Sequence, residues 1–122
     1  MKSEIVLQKE YRGYELIVRK LSFEPWEMST SLYQMNDHWY CGYAALPKEN
    51  LCYGIDYTQL EPFISVHGGL TFSGELKEVD GYLIGFDCNH GGDDPLVQDE
   101  EYTLKECESL VDQLIYLSEV EE

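Results

Sequence analysis

Thr103-Leu104-Lys105-Glu106-Cys107-Glu108-Ser109-Leu110-Val111-Asp112-Gln113-Leu114-Ile115-Tyr116-Leu117 decides the architecture of this chain. Leu104, Cys107, Leu110, Val111, Leu114 and Leu117 recur at helical spacing, so one stripe of an amphipathic helix is apolar and must be buried against another element. Thr103 and Glu106 read as a capping box, in which the hydroxyl accepts from the third helical N–H and the carboxylate reaches back to the cap. Asp99, Glu100 and Glu101 lie just upstream, where the positive end of the helix dipole favours acids. Most of what precedes this helix reads as strands. The expected fold is therefore α+β: an antiparallel sheet of about five short strands with one C-terminal amphipathic helix packed on one face.

Working back from the helix, Ile5-Val6-Leu7 and residues 14–20 read as a hairpin turned at Arg12-Gly13, the second strand alternating as a half-buried strand does. Residues 38–46 are aromatic and β-prone, and Pro47 ends them because it cannot donate to a ladder. Between these lies a long connection, residues 21–37, with one helical turn expected near Leu32, and a short helix is expected around Tyr57. Three further strands are read at residues 63–67, 70–73 and 82–87. Gly68-Gly69 would join the first two in a type I′ turn, and the loop 74–81 would return the chain.

At 122 residues the chain fits one domain. Its 43% hydrophobic and 13% aromatic content is too high for a disordered chain in spite of a net charge of −16. That charge is lopsided: residues 1–60 carry six basic and eight acidic side chains, residues 61–122 two basic and sixteen acidic. Such a field repels phosphates, which argues against direct nucleic-acid binding, and it either favours a basic partner or simply keeps the domain soluble. Cys41, Cys52, Cys88 and Cys107 show no Cys-x-x-Cys spacing of the structural zinc type. Cys41 and Cys107 read as buried, whereas Cys88, between Asp87 and His90, is the one candidate for a reactive thiol. No signal-peptide pattern and no membrane-length apolar run is present, so a cytoplasmic location with reduced thiols and no membrane partner is expected.

The candidate site is the pair of glycine-rich blocks at 66–74 and 85–94, which gather His67, Gly68, Gly69, Asp87, Asn89, His90 and Asp93. A three-stranded meander would bring His67 and Asp87 to one end of the sheet, about 10 Å apart across two strand spacings. Side-chain alternation then puts Ile64, Val66, Tyr82, Ile84 and Phe86 toward the helix, with His67 and Asp87 together on the other surface. These residues form a candidate ligand-binding rim, the Asn89-His90-Gly91-Gly92 turn offering a backbone nest. Each has a plain alternative: His67 closing a turn, Asp87 forming an Asx turn, His90 and Asp93 merely solvated. Asp87, His90, Asp93 and His67 would suit zinc, manganese or iron, but Asp-x-x-His-x-x-Asp is common by chance and no cofactor is expected. His67 with Asp87 would suit acid/base chemistry, yet no nucleophile motif, P-loop or dinucleotide fingerprint accompanies them.

His67-Gly-Gly-Leu-Thr-Phe-Ser-Gly74 with Gly85-Phe-Asp-Cys-Asn-His-Gly-Gly-Asp93, preceded by Cys41-Gly42-Tyr43, Pro47, Tyr53-Gly54 and Tyr57, resembles a group of small uncharacterised proteins recurrent in phages, prophages and their bacterial hosts. The likeness spans residues 38–94 and departs where members of that group carry a Trp-rich strand and this chain has Tyr82-Leu83-Ile84. The resemblance implies a setting and no reaction: an acidic accessory or counter-defence binding protein that inhibits a basic host protein or sequesters a small polar ligand. A metal-dependent or acid/base hydrolase centred on His67, Asp87 and His90 is the alternative.

Overall fold

A computed structural model describes residues 1–27 and 36–120. Five strands form one sheet in the order β1-β2-β3-β5-β4: β1 (Lys2–Tyr11), β2 (Tyr14–Ser22), β3 (His38–Leu46), β4 (Phe72–Leu76) and β5 (Val79–Asp87). Every neighbouring pair is antiparallel. A one-turn helix α1 (Tyr57–Leu60) and the long helix α2 (Glu100–Val120) complete the fold. This is the α+β arrangement expected, with α2 on one face of the sheet.

The first hairpin turns where the sequence places it, with Arg12 at φ +53 and Gly13 at φ +84. Two successive left-handed residues are what a two-residue type I′ loop requires. Strand β2 differs from its reading as half-buried: Leu16, Ile17 and Val18 are all fully buried. Leu16 joins Ala44, Ile84, Phe86 and the α2 stripe of Cys107, Leu110, Val111 and Leu114 in one core. Ile17 faces the other way and joins Trp39, Cys41, Tyr43, Val79 and Leu83 in a second cluster. With α2 on one face and this cluster on the other, the central strands are continuous apolar runs.

Three local expectations are corrected. Residues 63–67 are not a strand: Glu61–Phe63 is a 3-10 turn, and the extended segment after it pairs with side chains of α2 instead of with the sheet. Gln113 accepts from Ser65 N–H at 2.7 Å and donates to Ser65 O at 2.8 Å, which satisfies the backbone as a neighbouring strand would. The return from β4 to β5 is the tight Lys77-Glu78 turn between the paired Leu76 and Val79, so both strands extend into the expected loop 74–81. Helix α2 begins four residues earlier than its capping-box reading, at Glu100 and not Leu104. The Asp99 carboxylate accepts from Tyr102 N–H at 2.9 Å, while Thr103 is buried in the helix and its hydroxyl donates to Asp99 O at 2.7 Å. The helical turn read near Leu32 lies outside the described residues.

Candidate functional site

Two glycine turns meet beside the first turns of α2. In one, Gly69 N–H donates to Val66 O at 2.9 Å, leaving His67 and Gly68 as the central pair. In the other, Asp93 N–H donates to His90 O at 3.0 Å across Gly91 and Gly92. Gly68 at φ +69 and Gly92 at φ +90 occupy the second central position, where a type II turn needs a left-handed residue. The first turn is thus centred one residue earlier than a Gly68-Gly69 hairpin and joins no strands. Asp93 also closes its own turn through the side chain, its Oδ2 accepting from His90 N–H at 2.9 Å.

His67 sits between the turns and the helix. Its Nδ1 lies 2.8 Å from the Tyr102 hydroxyl and its Nε2 2.7 Å from Asp93 Oδ1, while its backbone N–H donates to Glu106 Oε1 at 2.7 Å. An ionised carboxylate only accepts, so neutral His67 carries its proton on Nε2 and Tyr102 donates to Nδ1. The expectation that His67 faces away from the helix is therefore overturned, because Tyr102 and Glu106 on α2 both hold it. His90 pairs separately, with Nε2 3.1 Å from Asp87 Oδ1. The two imidazole centroids are 6.1 Å apart.

The His90 ring rests against the first turn: a Cβ on Gly68 would come within 2.1 Å of His90 Nε2. Gly68→Ala therefore meets both an unfavourable φ and a displaced imidazole. The expected loss is about 1–2 kcal/mol in urea denaturation, with a shifted His90 imidazole resonance. Unchanged stability and an unmoved resonance would contradict this packing.

The electrostatics follow from burial. Burial of the Asp93 carboxyl alone would raise its pKa, but the His90 N–H and the His67 ring outweigh it and hold the group below its ordinary 3.8. Tyr102 is shifted upward, first by burial and then by Glu106, so it is a protonated donor at neutral pH. Cys88 is buried, its thiol 3.7 Å from Thr103 Oγ1, and desolvation pushes its pKa up to about 11. That removes the thiolate a reactive cysteine needs.

The structure thus gathers His67, Gly68, Asp87, His90 and Asp93 at one rim. Gly69 lies outside the histidine pair, nearer Glu61 Oε1. Asn89 is exposed, and its N–H closes an Asx turn onto Asp87 Oδ1 at 3.3 Å. Sequence reasoning missed Tyr102, Glu106 and Asn36, the last donating to Asp93 O at 2.8 Å. Tyr102 and Glu106 are four apart and so share a helix face, but the capping-box reading assigns Glu106 to the helix start and gives Tyr102 no role. The histidines take different carboxylates, and among the described residues no group of three or more His, Cys, Asp or Glu could hold a metal ion. The four-residue metal set read from the sequence does not converge.

What the arrangement does chemically is fasten. It ties the 66–69 turn, the 90–93 turn and the first turns of α2 together through hydrogen bonds that satisfy both ring nitrogens of His67. No helix among the described residues is long and apolar enough to cross a membrane. Comparisons with protein-family models, curated proteins and solved structures find no match to this chain.

Proposed function

We propose that this protein is a small acidic binding module that captures a basic partner protein, with the histidine cluster serving as a clasp and not as the binding surface. The observation that carries the reading is a depression of about 420 Å³ at the start of α2, floored by Leu7, Tyr40 and Leu104 and rimmed by Asp99, Glu100 and Glu101. An apolar floor inside a carboxylate rim suits the stem and head of lysine or arginine side chains. The phage-type resemblance supplies the setting: an accessory or counter-defence protein in the host cytoplasm, occupying the groove of a nucleic-acid-binding protein without itself touching nucleic acid. Sequestration of a small polar ligand is less favoured, because the His67 nitrogens are already engaged within the fold.

The test measures binding of fluorescently tagged oligolysine and oligoarginine, and of an intact basic nucleic-acid-binding protein. Affinity should fall at least about tenfold as ionic strength rises from low to physiological, since rim charges act through a screened field. Glu100→Gln and Glu101→Gln together should weaken binding further, while His67→Ala should leave affinity intact. Binding that survives neutralisation but is lost with His67→Ala would overturn the reading in favour of a polar-ligand site.

A second reading has one observation behind it. The Asp93–His67–Tyr102 chain has the order of a carboxylate-oriented base facing a hydroxyl, as an acid/base hydrolase would use. Burial favours the protonated phenol, which works against Tyr102 as a nucleophile. Ester or phosphoester turnover abolished by Tyr102→Phe in a still-folded protein would establish that alternative.

A further inference from the structure

The far half of α2 borders a second surface that the acidic depression does not account for. A cavity of about 270 Å³ opens between the α1 region and the helix, lined by Leu51, Cys52, Ile55, Leu60, Phe63 and Leu117. A neighbouring depression shares Phe63 and Leu117 and continues along Gln113 and Tyr116. Large side chains of its lining stand exposed: Phe63 at 67%, Tyr116 at 65% and Leu51 at 48%. Apolar residues that could have turned inward instead line one contiguous groove, the form an interaction site takes on a small domain.

The surroundings of the groove carry one sign of charge. Residues 49–63 and 109–120, which build it, contain Glu49, Asp56, Glu61, Asp112 and Glu119 and no lysine or arginine. Only Asp112 among these is in an ion pair, with Arg12 at 2.8 Å. Helix α2 ends here without a basic residue in its last turn, so the negative end of its dipole adds to Glu119 instead of being offset. A second copy of the chain would bring two such negative rims together, which disfavours self-association through this face.

We infer that this groove receives a bulky apolar side chain flanked by lysine or arginine on a segment of the basic partner. The inference rests on the partner-binding reading above and adds a second, apolar anchor to it, at the opposite end of α2 from the acidic depression. The anchor fills the cavity beside Phe63 and Leu117, and its basic neighbours meet Glu61, Glu119 and the helix terminus.

The experiment uses the full chain and four labelled peptides: a lysine-rich amphipathic helix with a Leu/Phe face, the same composition scrambled, the same pattern with glutamate for lysine, and oligolysine. The amphipathic basic peptide should bind at least tenfold tighter than the scrambled and acidic ones, and it should shift amide resonances at Leu51, Ile55, Phe63 and Leu117. Phe63→Ala and Tyr116→Ala alter exposed side chains and leave the core in place; each should weaken that peptide severalfold and leave oligolysine binding unchanged. Equal binding of the scrambled or acidic peptide, or no effect of either variant, would overturn the groove alone if the Glu100 and Glu101 substitutions still weaken oligolysine binding. Absence of binding by every basic probe would overturn both readings. Concentration-dependent dimerisation removed by Phe63→Ala would assign the groove to a second copy instead.

Discussion

Gly42→Ala is expected to destabilise the protein by about 2–3 kcal/mol, a large share of the 5–15 kcal/mol typical of a domain of this size. Gly42 lies in β3 directly beneath α2, and a Cβ there would sit 2.6 Å from both Cys107 Sγ and Phe86 Cζ. Neither neighbour has room to yield, since Cys107 is fully buried and Phe86 is 1% exposed. The added methyl must push the helix off the sheet or drive Phe86 out of its rotamer, and both propagate through the core. Gly42→Val should exceed this and leave little folded protein. Gly91→Ala is the matched control, because nothing lies within 4 Å of its Cβ position and its φ is not left-handed. A double-mutant cycle sharpens the test: Gly42→Ala with Cys107→Ala should cost less than the sum of the two, because the shared space is then relieved. Strict additivity, or a Gly42→Ala midpoint equal to that of Gly91→Ala in urea, would contradict the packing.

Gly42 also illustrates what the sequence discloses and what it withholds. Gly42-Tyr43 and Gly85-Phe86 are Gly-aromatic dipeptides, and they pair with Gly42 opposite Phe86 and Tyr43 opposite Gly85. Each aromatic lies over the glycine across from it, Phe86 on the helix side and Tyr43 on the other. The dipeptides are visible in the chain, but their register is a long-range fact that local pattern does not carry. The α2 stripe and β3 were legible because their periodicity and their proline boundary act locally. Residues 63–67 read as a strand but are not one, because β-prone composition specifies an extended backbone but not its partner, and here Gln113 and Glu106 supply what a strand would have. The two glycine turns meet, but not by the three-stranded meander that strand spacing and alternation suggest: a loop tethered to α2 brings His67 there. Glu106 shows the cost of assigning one residue to one local motif, since the carboxylate read as part of a cap instead holds His67 N–H.

Asp93→Ala is expected to cost roughly 1–3 kcal/mol at neutral pH, because it strips the half-buried acceptor of His67 Nε2 and, at the same time, the acceptor that closes the 90–93 turn onto His90 N–H. The Asp93 side chain is only 9% exposed and that of His67 18%, so the main loss falls on the His67 bond, whereas the exposed His90 N–H can turn to water. The effect should depend on pH in a determined direction. The Asp93 pKa in the folded protein lies below its ordinary 3.8, so the folded state binds this proton less readily than the unfolded chain does. The stabilisation attached to that carboxylate is therefore fully present above about pH 4 and is lost as pH falls through the lowered folded value. Wild type and Asp93→Ala should differ most in urea midpoint at pH 6 to 7 and should converge in acid, with the wild type supplying the slope. Asp93→Asn separates charge from geometry: it keeps an acceptor for one partner, so it should fall between the two and lose the acid-dependent part of the gap. A constant difference between wild type and Asp93→Ala down to pH 2 would mean that this carboxylate is not what fastens the turns to α2. A difference that widens in acid would reverse the sign required by its lowered pKa.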